Sequence, residues 1–282
     1  MKKQMSAFVI IVALLLTAFV FAGCSSGTGA GSSAASDGRD GSTASSKTLI
    51  IGFDPKYPPY GFIAEDGSYA GFDIDLAAAA ADANGWNFEA KPIVWDERDD
   101  ELDSGNITCI WNGFTMEGRE GQYAFSEPYM INEQVVVVKS HSNIKELDDL
   151  AGKRVVTQAS SSAMDVLNGP KSDLTATFAG GAPLTASDYD DAFLQLDSNS
   201  VDAVACDLSY AVYQISRSGD KYFMISEPLS TEHYAIGFKL GDEETAKVVT
   251  NTLKVLYEEG IVEDLSKKYE DMGVSYTNWV LR

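Results

Sequence analysis

The sequence predicts an α/β fold with substantially parallel sheets, and two observations carry that prediction. From Thr48 onward, short apolar or β-branched runs alternate with segments of helical spacing. Of the 282 residues, 45% are apolar and 11% aromatic, a composition that builds a large packed core and is not that of a disordered chain. About 235 residues belong to this alternating part, enough for one large domain or two smaller ones.

In chain order, Leu49 to Phe53 is a short apolar strand that ends at Asp54, and the rigid turn Pro55-Lys56-Tyr57-Pro58-Pro59 follows. Asp73 to Asn84 is Ala-rich and helical, with Asn84-Gly85 as its stop signal. Val135 to Lys139 is a β-branched strand, and another begins at Val155-Val156 after the turn at Gly152. Asp188 to Leu196 has helical spacing at Ala192, Phe193 and Leu196, and Val201 to Cys206 is again strand-like. Ala246, Val249, Leu253 and Leu256 fall on one face of a helix stopped by Gly260.

The first 47 residues have a different character. Lys2 and Lys3 precede an apolar run from Phe8 to Phe21, broken only by Thr17, which describes a secretory signal; its 14 residues are short for a spanning helix. The alternative is an uncleaved membrane anchor. Phe21-Ala22-Gly23-Cys24 resembles the lipobox of bacterial lipoproteins, with Phe21 where Leu is usual. That resemblance implies cleavage after residue 23, lipidation of Cys24 by acyl chains such as palmitate, and a protein held on the extracellular face of a bacterial cytoplasmic membrane. Residues 24–47 then form a tether: 13 of the 23 residues from Ser25 to Lys47 are Ser or Gly, too little apolar surface to offset ordering entropy.

Forty-two acidic and 21 basic residues give a formal net charge of -21. Loss of residues 1–23 removes Lys2 and Lys3 and no acid, which leaves -23. No nucleic-acid partner is expected of a chain without a basic patch. Two His and three Cys argue against His- or Cys-rich metal sites, and no cofactor is expected. Cys109 and Cys206 sit in apolar runs and read as buried thiols, with a disulfide between them the alternative. The acidic cluster from Asp96 to Asp103 lacks the Ca²⁺-loop order and reads as a solvated helix face. Phosphate-loop and His-Glu-x-x-His motifs are absent, and the one Gly-x-Ser-x-Gly match, Gly23 to Gly27, falls at the lipobox and the start of the tether, so no local motif marks an enzyme.

Several segments together resemble the family 3 extracellular solute-binding proteins, the amino-acid receptors of ABC importers. They are Gly52-Phe53-Asp54 with Tyr57-Pro58-Pro59-Tyr60; Gly71-Phe72-Asp73-Ile74-Asp75-Leu76; and Trp111-Asn112-Gly113-Phe114-Thr115, followed by Arg119 and by Phe125-Ser126-Glu127-Pro128-Tyr129. Leu147-x-x-Leu150-Ala151-Gly152-Lys153-Arg154-Val155 and Val201-Asp202-Ala203-Val204-x-x-Asp207 complete the set in the family's order, over roughly Thr48 to Met272. The resemblance implies a two-lobed periplasmic-binding-protein-like fold (type II) with two crossover strands and a ligand cleft between the lobes. Lobe 1 would be 48–138 plus 233–282 and lobe 2 139–232, with Val135 to Lys139 the outgoing crossover and Tyr234 to Lys239 the return.

A zwitterionic amino acid loses hydration at both charged ends when it leaves water, so its receptor must supply opposite charges. Arg119 suits the α-carboxylate, because its planar fork gives two parallel hydrogen bonds; the alternative is a surface arginine paired with Glu117 or Glu120. The resemblance adds Gly113 and Thr115 to the carboxylate site, at a spacing from Arg119 one residue shorter than the family's commonest. It gives Asp207 the α-ammonium, the alternative being an N-cap before Leu208 to Ile215. Ser160, Ser161 and Ser162 stand at a helix start where the family usually has Gly then Thr, and Ser161 and Ser162 can donate to a carboxylate. Tyr57, Tyr60 and Trp95 are candidate aromatic walls, with core packing the alternative for each, and the resemblance puts Asp54 at the ligand's distal polar group, with Gln158 and Cys206 as neighbours. Asp54 favours a neutral polar or cationic side chain over an acidic one.

These readings describe a monomeric, lipid-anchored substrate-binding component of an ABC transporter. Its partners are a free amino acid, a membrane permease and, through the lipid, the membrane. Two alternatives share the fold: a cyclohexadienyl or arogenate dehydratase, for which no general acid announces itself, and a ligand-sensing module.

Overall fold

The computed structural model describes residues 47–282. The signal segment, Cys24 and all of the tether except Lys47 lie outside the described residues. Among the described residues no helix is long and apolar enough to cross a membrane.

The chain starts with β1 (Thr48–Phe53) and a small antiparallel sheet of β2 (Lys56–Tyr57), β3 (Gly61–Ile63) and β4 (Tyr69–Ala70). Next come α1 (Phe72–Ala83), β5 (Asn87–Pro92), α2 (Arg98–Asp103), β6 (Cys109–Ile110) and β7 (Tyr123–Phe125). The long β8 (Met130–Lys139) leads to β9 (Val155–Gln158), α3 (Ser162–Asn168), α4 (Ser172–Thr175), β10 (Leu184–Ala186) and α5 (Tyr189–Asp197). The last stretch contains β11 (Ala203–Asp207), α6 (Leu208–Ser218), β12 (Tyr222–Met224), β13 (Ser230–Tyr234), β14 (Gly237–Lys239), α7 (Glu243–Glu258) and α8 (Ile261–Lys268).

Two lobes result, each around its own sheet. The first sheet has the order β5-β1-β6-β14-β7 and the second β10-β9-β11-β8-β12, with β13 also on β8. The α/β class holds, but the expected parallel character holds only in part. β1 is parallel to β5 and β6, and β9 to β10 and β11, whereas β8 is antiparallel to β11, β12 and β13. The long β8, which carries the chain into the second lobe, runs against β9 and β11, and an apolar run reads the same in either direction.

Local chemistry explains the elements that matter for the site. Gly71 precedes α1 at φ 145°, and a Cβ there would lie 2.1 Å from the Tyr60 carbonyl oxygen, so the chain can turn into α1 only with glycine. The Asp188 side chain caps α5 by accepting from the Asp191 backbone N–H at 2.8 Å. Ala246, Val249, Leu253 and Leu256 are all buried on the inner face of α7, which packs on α1 and β7. Asp96, Glu97, Asp99, Asp100 and Asp103 are exposed, as a solvated face should be. Cys109 and Cys206 are free, buried and in different sheets.

The outgoing crossing differs from expectation. Val135–Lys139 lie inside the second sheet between β11 and β12, with Val135 and Val137 in one core cluster and Val136 and Val138 in another. The passage between sheets comes earlier, where Met130–Gln134 pairs with Ser230–Tyr234. The valine run marks a central strand buried on both faces. The crossing itself carries the polar residues Asn132, Gln134 and Glu232.

Candidate ligand-binding site

Strand ends build the site. Asp54 follows β1, Gly113 and Thr115 follow β6, Gln158 closes β9, and Asp207 closes β11. Ligands of open α/β sheets gather at the carboxyl ends of parallel strands, and these residues meet there across the two sheets. Together with Tyr57, Trp95, Arg119, Ser161 and Ser162 they line one cleft. Ten of the residues named from the sequence are therefore in one place.

Gly113 sits at φ 56°, and a Cβ there would come within 3.1 Å of the Tyr57 and Tyr234 rings. Its N–H donates to Asp73 Oδ2 at 2.6 Å, and the Tyr129 hydroxyl donates to both Asp73 oxygens at 2.9 and 2.8 Å. Burial pushes the Asp73 carboxyl up to about 7 against those donors. The cleft floor is thus fixed from beneath by a group that faces away from it.

Arg119 is 5% exposed. Its Nη1 donates to the Thr115 carbonyl at 3.1 Å, its Nη2 donates to Asp165 Oδ2 at 3.0 Å, and the guanidinium lies 4.8 Å from the Phe114 ring centroid. The surface alternative does not hold, since Glu117 pairs instead with His233 at 2.7 Å. Opposite stands Asp207, also 5% exposed. It occupies the N-cap position of α6 but makes no capping bond through its side chain. Instead its Oδ1 accepts from Asn132 at 2.9 Å, Gln134 at 2.7 Å and the Tyr234 hydroxyl at 2.9 Å, and its Oδ2 accepts from Tyr189 at 3.1 Å. Burial raises its pKa in spite of these donors.

At the far end, Asp54 accepts from the Lys56 N–H and from Gln158 Nε2, both at 2.9 Å, and burial raises its pKa. Ser161 caps α3 by accepting from the Met164 N–H at 3.2 Å, and Ser162 donates to Glu232 at 2.5 Å. Trp95 stands edge-on to Phe114 and donates to the Ser160 carbonyl at 3.3 Å. Tyr57 stacks on Tyr60 and Tyr210, and its hydroxyl is 3.1 Å from that of Tyr234.

Two predicted neighbours lie elsewhere. Tyr60 packs edge-on against Tyr234, and its hydroxyl points to Met130 Sδ, away from the cleft lining. Cys206 is buried in the core, because the residue before Asp207 on a strand faces the other way. Five residues of consequence escape sequence reasoning: Asn112 and Tyr189 in the lining, and Asn132, Gln134 and Glu232 behind it. A signal for the last three exists. Asn132 and Gln134 are two apart on one strand face, and the register sets Asn132 against Glu232 and Gln134 against Asp207.

The two sides also touch directly. Asp54 meets Gln158, Lys56 meets Asp188 at 2.7 Å, Arg119 meets Asp165, and Ser160 donates to Asp96. Arg119 and Asp207 share no bond, but the sides are joined by more than a ligand.

A family model described as bacterial extracellular solute-binding proteins, family 3, matches residues 49–272. The L-cystine-binding protein TcyJ of Escherichia coli (strain K12) is 27% identical over 225 residues, 79% of this chain and 82% of that one. Among solved structures, an ABC uptake transporter substrate-binding protein from Streptococcus pneumoniae with bound histidine is 34% identical at a TM-score of 0.77. It covers 81% of this chain and 94% of its own. An ancestral arginine-binding protein bound to arginine is 31% identical at a TM-score of 0.72, covering 80% and 99%.

Proposed function

Because the chain belongs to the bacterial extracellular solute-binding proteins of family 3, we propose that it captures a polar amino acid in this cleft and delivers it to an ABC permease. In this reading Cys24 carries the lipid that holds the protein at the outer face of the cytoplasmic membrane. The lobes swing about Met130–Gln134 and Ser230–Tyr234. One observation carries the proposal: a buried guanidinium, Arg119, and a buried carboxylate, Asp207, line one cleft from opposite sides without contacting each other. A zwitterion's two charged ends match that pair.

Arg119 takes the α-carboxylate, helped by the Gly113–Thr115 segment and by Ser161 and Ser162 at the start of α3. Asp207 takes the α-ammonium, Tyr57 and Trp95 flank the side chain, and Asp54 with Gln158 meets its distal group. Asp54 is the charged group at that end, which supports a neutral polar or cationic side chain. Relatives that bind cystine, histidine and arginine support an amino acid in general.

A thermal-shift screen of the twenty amino acids and cystine tests this reading. A ligand at a hundred times its Kd should stabilise the protein by about 2.7 kcal/mol; if none of them raises the melting temperature, the proposal fails. Asp54→Ala should change selectivity and leave the main-chain clamp intact. Loss of a charged hydrogen-bond acceptor, about 1.5–3 kcal/mol, lowers affinity for cationic side chains by tenfold or more relative to neutral ones. Calorimetry of wild type and variant with L-arginine and L-glutamine reads the ratio, and an unchanged ratio removes Asp54 from the site.

A further inference from the structure

Behind the cleft, Asp207 and Glu232 form a buried carboxylate pair. Glu232 is 2% exposed, and its Oε1 accepts from Thr115 Oγ1, Asn132 Nδ2 and Gln134 Nε2 at 2.8, 2.9 and 2.8 Å. Both amides also donate to Asp207 Oδ1. Each –NH₂ group therefore spends one hydrogen on each acid, and the two carboxylates lie no farther apart than one bridging nitrogen allows. The antiparallel register produces this: Asn132 and Gln134 stand on one face of β8, with β13 carrying Glu232 on one side and β11 carrying Asp207 on the other.

No cation touches the pair among the described residues. Around it are Tyr234 beside Glu232 on β13, Tyr189 from α5 and Tyr57 from β2. Thr115 lies in the loop after β6, Ser162 at the start of α3, and Cys206 next to Asp207 on β11. Burial raises the pKa values of all three tyrosines and the cysteine, so they are neutral near pH 7. Arg119, across the cleft, is engaged with Asp165, and His233 on the opposite face of β13 with Glu117. Two like charges at this spacing in a buried site cannot both persist without a compensating positive charge.

Burial raises the pKa of both acids, and for Glu232 the charge of Asp207 adds to it. The amide hydrogens are fully used, yet Gln134 Oε1 is buried with no donor among the described residues. The site thus has acceptors to spare and lacks a proton.

We propose that Glu232 is a second acid of the ammonium subsite, and that with Asp207 it holds one shared proton in the empty protein and gives it up when an amino acid's ammonium enters. The proton passes to solvent buffer, and the ammonium takes over its role as the positive charge between two ionised carboxylates. No bond other than O–H is made or broken. This inference rests on the amino-acid reading above. Its consequence is that capture weakens as pH falls, because protons and ammonium compete for the same two carboxylates.

Calorimetry of the purified protein with L-arginine and with L-glutamine tests it from pH 5 to 8, in pairs of buffers of unlike ionisation enthalpy. Neither probe changes its own charge in that window. Wild type should release up to one proton per amino acid bound, with affinity falling by up to about tenfold per pH unit on the acid side. Glu232→Gln should release almost none, and its affinity should change by less than about threefold over the same range. A pH-indicator dye in weakly buffered wild-type protein reads the same release without relying on the variant's folding. Binding with no proton release in wild type, or with equal release in both proteins, overturns the inference and leaves the amino-acid reading in place. Failure of every amino acid to bind at pH 8 overturns both together.

Discussion

Arg119→Ala is expected to abolish measurable binding of every amino acid, a loss of at least about a hundredfold whatever the side chain. An α-carboxylate moved out of water into a mostly buried cleft needs donors that are already aimed at it, and unpairing one partner of such a buried ion pair costs about 3–5 kcal/mol. Arg119 is held in place by the Thr115 carbonyl and the Phe114 ring, so little ordering entropy remains to be lost on binding. The fold should tolerate the change. Its one ion pair among the described residues is to Asp165, whose side chain is 59% exposed, and a pair of that kind is worth at most about 1 kcal/mol. Arg119→Lys restores the charge without the fork and should recover only part of the affinity. Calorimetry with a melting curve of each variant checks both halves: wild-type affinity in Arg119→Ala excludes the clamp, and a collapsed melting temperature would make Arg119 a structural residue.

Asp207→Asn is expected to lower affinity about a hundredfold while the empty protein becomes as stable as wild type or more so. The ammonium would lose the counter-charge that lines the cleft, and the expected cost is again that of a buried charged partner. The empty site would gain, because a buried carboxylate whose pKa is raised is strained when ionised. The substituted side chain keeps a carbonyl acceptor for Asn132, Gln134 and Tyr234 and presents an amide toward the Tyr189 oxygen. The sign of the pH dependence comes from linkage. A carboxyl whose folded pKa lies above its unfolded value takes up protons on folding, so its contribution to stability is present at acid pH and is lost as pH rises through the folded pKa. The advantage of Asp207→Asn in the empty protein should therefore grow from acid to neutral pH. Loss of binding together with gain of stability is the signature of a residue kept for function. Parallel losses of both would assign Asp207 to the fold.

Much of this site is legible in the sequence, for physical reasons that can be named. Asp207 stands out because a carboxylate that ends an apolar strand must find a partner, and Arg119 because its planar fork suits a carboxylate; Gly113 comes from the family resemblance, and its positive φ is why a glycine stands there. The inner face of α7 can be read from spacing alone, since Ala246, Val249, Leu253 and Leu256 repeat with the helical period. The crossing strands cannot be placed this way. The run Val135 to Val138 dominates its neighbourhood, and a strand buried on both faces shows no alternation to reveal where the sheet begins. Glu232 escapes for a different reason. Its meaning depends on Asn132, Gln134 and Asp207, which are remote in sequence and share a face only once β8, β11 and β13 are in register. Tyr60 and Tyr57 show the remaining limit. Two tyrosines three residues apart both pack against Tyr234, yet only Tyr57 lines the cleft.

If the cleft holds both main-chain ends of one amino acid between the lobes, removing the carboxylate charge from the ligand must be as damaging as removing Arg119 from the protein. Calorimetry decides this by comparing the best-binding amino acid from the screen with its methyl ester and with its decarboxylated analogue. Each derivative keeps the side chain and the ammonium but lacks the charge that Arg119 is there to meet. Both should bind at least about a hundredfold more weakly than the parent, or not at all. Equal affinity for the parent and either derivative would contradict the two-ended clamp, because the side chain alone would then carry recognition and Arg119 would have no ligand charge to hold.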